Sequence, residues 1–182
     1  FFYIWRNKYK NMRFVKFTLI GLLGITLAFI SLGFFHSSFQ FENQIEVDAS
    51  VEKSYATFVN DSLKAEWLEG YLGKEVLSGK RRVPGARFLV KFEQAEERVE
   101  IIEVLKEAQE NEKYIFDMLT DVFDGTIEVY FEGGEQKTVL KIFTTIKGSN
   151  VFYRSMFYLL KGALQKQAQT NYDLLKVVIE KQ

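Results

Sequence analysis

Residues 123–150 read FDGTIEVYFEGGEQKTVLKIFTTIKGSN, and this stretch decides the fold. Phe123, Ile127, Val129 and Phe131 alternate with Asp124, Glu128 and Glu132, so residues 123–132 form a strand with one apolar and one polar face. Gly133-Gly134 is a hairpin signal. The return strand, 138–146, turns Leu140, Ile142 and Ile146 inward, opposite Lys141 and Lys147. Gly148-Ser149-Asn150 ends the sheet and opens a helix running to about residue 181, with Ser149 or Asn150 as its N-cap. Along that helix Met156, Leu159, Leu160, Ala163, Leu164, Ala168, Tyr172, Leu175 and Ile179 recur at helical spacing. Gly162 inside it is either tolerated or leaves room for a close approach.

Working towards the N-terminus, more strands appear. Residues 114–119 place Phe116 and Met118 on one face, and 98–105 form a strand before a charged turn at 107–112. Residues 86–92 place Phe88, Val90 and Phe92 opposite Arg87 and Lys91, and a short strand is expected at 74–77. Two short helices, 51–59 and 63–68, precede these, with Asp48 or Ser50 as the first cap. The opening strand is 39–47, FQFENQIEV. Short turns between successive strands predict an antiparallel meander of about six to seven strands. The C-terminal helix is the one element large enough to cover its apolar face, so the class is α+β.

The soluble part, 39–182, follows a different kind of segment. Residues 17–35, FTLIGLLGITLAFISLGFF, carry no charge over 19 positions, which as a helix spans roughly 28 Å. Arg6, Lys8, Lys10, Arg13 and Lys16 all lie before it and none follows at His36-Ser37-Ser38. This predicts one transmembrane helix, a cytoplasmic basic segment at 1–16 and an extracytoplasmic domain. The run exceeds a signal-peptide apolar region and lacks a small-x-small exit, favouring a retained anchor. Met12 opens MRFVKF, a natural start that keeps Arg13 and Lys16. Gly21, Gly24 and Ala28 have the spacing of a helix-contact stripe, though one such pair is common by chance.

Composition narrows the function classes. The chain has 182 residues, 18 of them Phe, no Cys and one His. Thiolate metal sites, Cys nucleophiles and histidine triads are excluded, and no phosphate loop or nucleophile elbow is present. Beyond the first 16 residues, 19 of the 24 basic residues face all 24 acidic ones, a net of about −5. Such a balance does not suit nucleic acid. No cofactor is expected, and nothing in the residues sets an oligomeric state.

Residues 45–55, IEVDASVEKSY, resemble the opening I-x-I-x-A-P-x-E-x-V-F of the START-like superfamily, also called SRPBCC, with Ser50 where Pro is usual. The group includes polyketide cyclases and birch-pollen-allergen-like proteins. Trp67 after the two short helices, Phe123-Asp124-Gly125 before a strand and the long terminal helix fit the same resemblance, and anchored bacterial members look similar over the whole chain. The resemblance implies a helix-grip fold, a curved sheet around the C-terminal helix, with a cavity for a lipid, quinone or polyketide-like molecule.

The candidate lining is Phe88, Val90, Phe116, Met118, Ile127, Val129, Leu140, Ile142, Leu160 and Leu164, positions that serve equally as packed core. Trp67 and Tyr71 either gate the entrance or pack the helix pair. Glu96, Glu97, Glu100 and Glu103 read as a solvated face, Arg98–Glu100 as a surface pair and Lys80-Arg81-Arg82 as a solvated loop. Three functions stay open: a membrane-tethered binder of an apolar small molecule, a cyclase- or hydrolase-like enzyme using cavity carboxylates or Tyr, or a filled domain that binds proteins.

Overall fold

The computed structural model describes residues 2–94 and 97–182, with side chains from Phe14 onward except at 94–96. Arg6, Lys8, Lys10, Arg13 and Glu96 lie outside the described side chains. The order is α1 (Phe2–Phe35), β1 (Phe39–Val47), α2 (Val51–Phe58), α3 (Lys64–Trp67), β2 (Tyr71–Ser78), β3 (Arg87–Gln94), β4 (Glu97–Gln109), β5 (Lys113–Leu119), β6 (Phe123–Gly133), β7 (Thr138–Gly148) and α4 (Val151–Lys181). The seven strands form one curved antiparallel sheet ordered β1-β7-β6-β5-β4-β3-β2, and α4 lies along its concave face. This is the helix-grip fold that the resemblance implies, built on the antiparallel meander that the pattern predicts.

Local chemistry sets the boundaries. Ser50 caps α2 by accepting from Lys53 N–H at 3.2 Å, and Asn150 caps α4 by accepting from Tyr153 N–H at 3.1 Å. Gly133 closes the β6–β7 hairpin at φ +156°, where a Cβ would sit 2.2 Å from Lys137 O. β4 runs on to Gln109 because a bulge between Leu105 and Glu107 bends the strand without ending it, which shortens the expected charged turn. β2 begins at Tyr71, earlier than expected, since Tyr71 pairs with Phe92 across a register shift.

β1 is an edge strand, and α4 covers it. Gln165 Nε2, Gln169 Nε2 and Lys176 Nζ donate to the carbonyls of Glu42, Gln44 and Glu46 at 2.9, 3.2 and 2.6 Å. Alternate carbonyls of the edge are thus satisfied by one helix face, which removes a pairing hazard.

The stripe on α4 divides in two. Its C-terminal half packs into the sheet, with Tyr172, Leu175, Val178 and Ile179 buried. In the N-terminal half, Leu159 and Leu160 of the stripe stay exposed at 60% and 45%, so the expectation that Leu160 lines a cavity against the sheet is corrected. There α4 packs on α1 instead. Gly33 N–H donates to Ser155 Oγ at 2.9 Å, Phe29 and Phe152 meet edge to face at 5.5 Å, and His36 stacks on Tyr158 at 4.0 Å. A Cβ on Gly33 would lie 2.1 Å from Val151 O, so this contact needs glycine. Gly21 and Gly24 meet nothing within 4 Å among the described residues, so the helix contact forms one turn or more beyond the spacing that suggested it. Gly162 also faces open space, which makes it a tolerated glycine.

Candidate functional site

Cross-strand register explains why the concave face carries both a packed core and a cavity. One row across the sheet is Asn43, Ile142, Val129 and Tyr114. It packs against the C-terminal half of α4, and Val129 and Ile142 are fully buried there. The next row is Phe41, Thr144, Ile127 and Phe116, followed by Ile146, Gly125, Met118 and Glu103. These two rows, apart from Gly125, face a cavity of about 270 Å³. Leu164, Ala168 and Tyr172 of α4 roof it, and Trp67, Leu68 and Tyr71 close one side. At that end the sheet and helix diverge more than their side chains fill.

Of the twelve predicted lining residues, Trp67, Tyr71, Val90, Phe116, Met118, Ile127 and Leu164 are at the cavity wall. Phe88, Val129, Leu140 and Ile142 lie within the packed core, each 2% exposed or less. They share the inward face with the lining residues, but Val129, Leu140 and Ile142 lie in other cross-strand rows, and Phe88, level with Glu103, is covered by the Lys74 ammonium. Leu160 is outside the cavity, exposed on α4. Trp67 stacks on Phe58 at 5.7 Å and lies 6.4 Å from Tyr172, so it both packs the short helices and walls the cavity.

Glu103 is the main departure from the sequence reading. It is 5% exposed and not solvated, and its carboxylate Oε1 accepts from Lys74 Nζ at 2.6 Å. The signal was present: Val99, Ile101, Glu103 and Leu105 share one strand parity, so Glu103 interrupts the apolar face. Glu97 and Glu100 are exposed, as expected, Glu97 at the very start of the strand. Around the pair, Asp61 lies 3.4 Å from Lys64 and 3.9 Å from Lys74, and Arg81 also binds Asp61. Arg81 is therefore tied down within its loop. Lys74 Nζ sits 4.1 Å from the centre of the Phe88 ring, a cation–π contact inside the domain.

Burial holds the Lys74 ammonium below the usual lysine range, with Lys64 adding to the effect and the Glu103 carboxylate opposing it. The Tyr71 hydroxyl is pushed up to about 12, first by burial and then by the Asp61 and Glu103 carboxylates. Burial likewise raises Tyr114 and Tyr172. The phenols at the wall therefore stay neutral at ordinary pH. Among the described residues, no three His, Cys, Asp or Glu side chains gather as a metal site.

No family model and no curated protein matches the chain. Solved structures do. Ara h 8.0201 is similar at a TM-score of 0.64 and 11% identity, over 80% of this chain and 99% of that one. A START superfamily protein from Mycobacterium smegmatis gives 0.62 at 16% identity, over 78% and 97%. The di-domain ARO/CYC StfQ from the steffimycin biosynthetic pathway gives 0.64 at 15% identity, over 80% of this chain and 52% of that one. At these identities the likeness is one of fold. The chain has the START-like, or SRPBCC, fold.

Proposed function

We propose that this chain is a membrane-tethered binding protein for an apolar small molecule, held between the concave sheet face and α4. The observation that carries the reading is the cavity: about 270 Å³, walled largely by Phe, Ile, Val, Leu and Met side chains at one end of a tightly packed core. A filled core has no such space, since packed interiors leave few voids larger than a water molecule. The similar structures share this fold and include a protein of an aromatase/cyclase type, which supports a ligand-holding architecture. The carboxylate at the wall, Glu103, is engaged by Lys74, which favours binding over acid–base chemistry.

Tethering rests on α1. Residues Phe14–Phe35 form a 22-residue, predominantly apolar helical stretch whose one charge is Lys16 near its start, enough to cross a bilayer at roughly 33 Å, and their side chains are almost all exposed. A soluble protein does not leave such a surface in water. Phe152, Leu159 and Leu160 are exposed beside the end of that helix, on the part of α4 that packs against α1, and face lipid in this reading. With the cations on its N-terminal side, α1 leaves the domain outside the cytoplasm. An apolar ligand concentrates in the membrane next to the cavity.

The test is native mass spectrometry of the full chain released from nanodiscs. A copurifying apolar mass that is lost on organic extraction and restored from a membrane lipid extract is the expected result. A bare chain that takes up nothing from that extract refutes the reading.

A further inference from the structure

The cavity wall is not uniformly apolar. Trp67 is 4% exposed and lines the cavity, and its indole Nε1–H, fully buried, meets no acceptor among the described residues. Asn171 lines the same space from α4 and has a buried Oδ1 that meets no donor among the described residues. Lys64 and Glu103 line it too, beside the Lys74–Glu103 pair. Buried donors and acceptors are nearly always satisfied, so a donor left over at the wall of a binding cavity marks where a ligand atom belongs.

We propose that the ligand is an apolar molecule bearing an oxygen acceptor, a carbonyl in its simplest form, that takes the hydrogen bond of Trp67 Nε1–H. This rests on the cavity reading and narrows it: a plain hydrocarbon fills the volume but leaves the indole donor unsatisfied. The carbonyl lies at the Trp67 side of the cavity, and the hydrocarbon body extends towards Phe116, Ile127 and Ile146. Trp67 is then the residue that sets specificity, whereas the rest of the lining sets size.

The probes are n-decane and 2-decanone, which share a chain and differ in the acceptor. The protein is the full chain in nanodiscs, labelled with ¹⁵N at the tryptophan indoles, with Trp5→Phe leaving Trp67 as the one indole. 2-Decanone is expected to shift the Trp67 indole proton downfield and to bind roughly tenfold or more tightly than n-decane, the cost of leaving a buried donor unpaired. Trp67→Phe is expected to keep n-decane binding and bring the ratio to about one. Equal binding of both probes with an unmoved indole signal overturns the proposal and leaves the cavity reading standing. Binding of neither overturns both. The indole shift in the parent chain is informative even where Trp67→Phe fails to fold.

Discussion

Glu103→Gln tests the charge cluster behind the cavity wall. The pair it breaks has a 2.6 Å contact between side chains only 3% and 6% exposed. Removing one partner of a buried ion pair strands the other charge and costs about 3–5 kcal/mol. Here Asp61 stands 3.9 Å from Lys74 and retains part of the attraction, so the lower end, about 3 kcal/mol, is expected. At about 2–4 °C per kcal/mol for a domain of this size, melting falls by roughly 9 °C. Lys74→Met with Glu103→Leu removes both charges and is expected to recover most of the loss, because an apolar pair needs no desolvation of ions. The pH dependence has a definite sign. Burial already lowers Lys74, and losing the carboxylate lowers it further. Between the folded value and the unfolded 10.5, the unfolded chain binds more protons, so stability rises with pH. The deficit of Glu103→Gln against the parent therefore narrows from pH 7 towards pH 9.5. Near-UV circular dichroism melts of the full chain in nanodiscs read all three quantities. A single-variant cost below about 1 kcal/mol, or a double variant no better than the sum of the singles, refutes the assignment of a buried, mutually dependent pair.

Three further outcomes follow from the same geometry. Gly33→Leu drives a side chain into Val151 O and Ser155, so amide exchange at 151–158 is expected to accelerate, while Ser155→Ala, which removes the acceptor of Gly33 N–H together with the hydroxyl that donates to Val151 O, costs about 1–2 kcal/mol; unchanged exchange in Gly33→Leu refutes the α1–α4 contact. Ala168→Phe places a ring in the cavity and is expected to lower 2-decanone binding at least tenfold with stability held within about 1 kcal/mol, read by titration and melting. Tyr71, Tyr114 and Tyr172 have folded values above the unfolded 10.0, so the stability they contribute is whole below pH 10 and is lost as pH rises through the folded values, about 12 for Tyr71; tyrosinate absorbance is expected to rise in two phases, the second coinciding with loss of ellipticity, and a single phase near pH 10 contradicts the burial of these phenols.

Much of the fold was legible because it is written in local periodicity. The alternation through Phe123–Phe131 and Leu140–Ile146 specifies which face of β6 and β7 turns inward, and Gly133-Gly134 fixes the register between them. Glu103 was legible by the same parity, yet its charge drew it to the solvated face; parity prevailed because Lys74, from β2 two strands away, supplies a countercharge that no local pattern announces. The division between cavity and core was not legible. Ile127 and Val129 are identical in chemistry and parity, and one lines empty volume while the other is fully buried. What separates them is the cross-strand row each occupies: Val129 belongs to the row packed beside the C-terminal half of α4, and Ile127 to the next, which borders the cavity.

The reading of α4 failed for a related reason that bears on function. Hydrophobic spacing tells that Leu159 and Leu160 share an apolar sector with Leu164 and Ala168, but not what covers that sector. The sheet faces the part from Leu164 onward and touches Phe157 through Phe123, and α1 covers the part around Phe152 and Ser155. Leu160 is one turn from Leu164, so the exposed sector is continuous with the cavity roof. A water-facing helix gains nothing from such continuity, whereas a helix lying against lipid offers an apolar ligand an uninterrupted path from bilayer to cavity. The same residues that misled the fold reading are thus the ones that join the two halves of the proposed function.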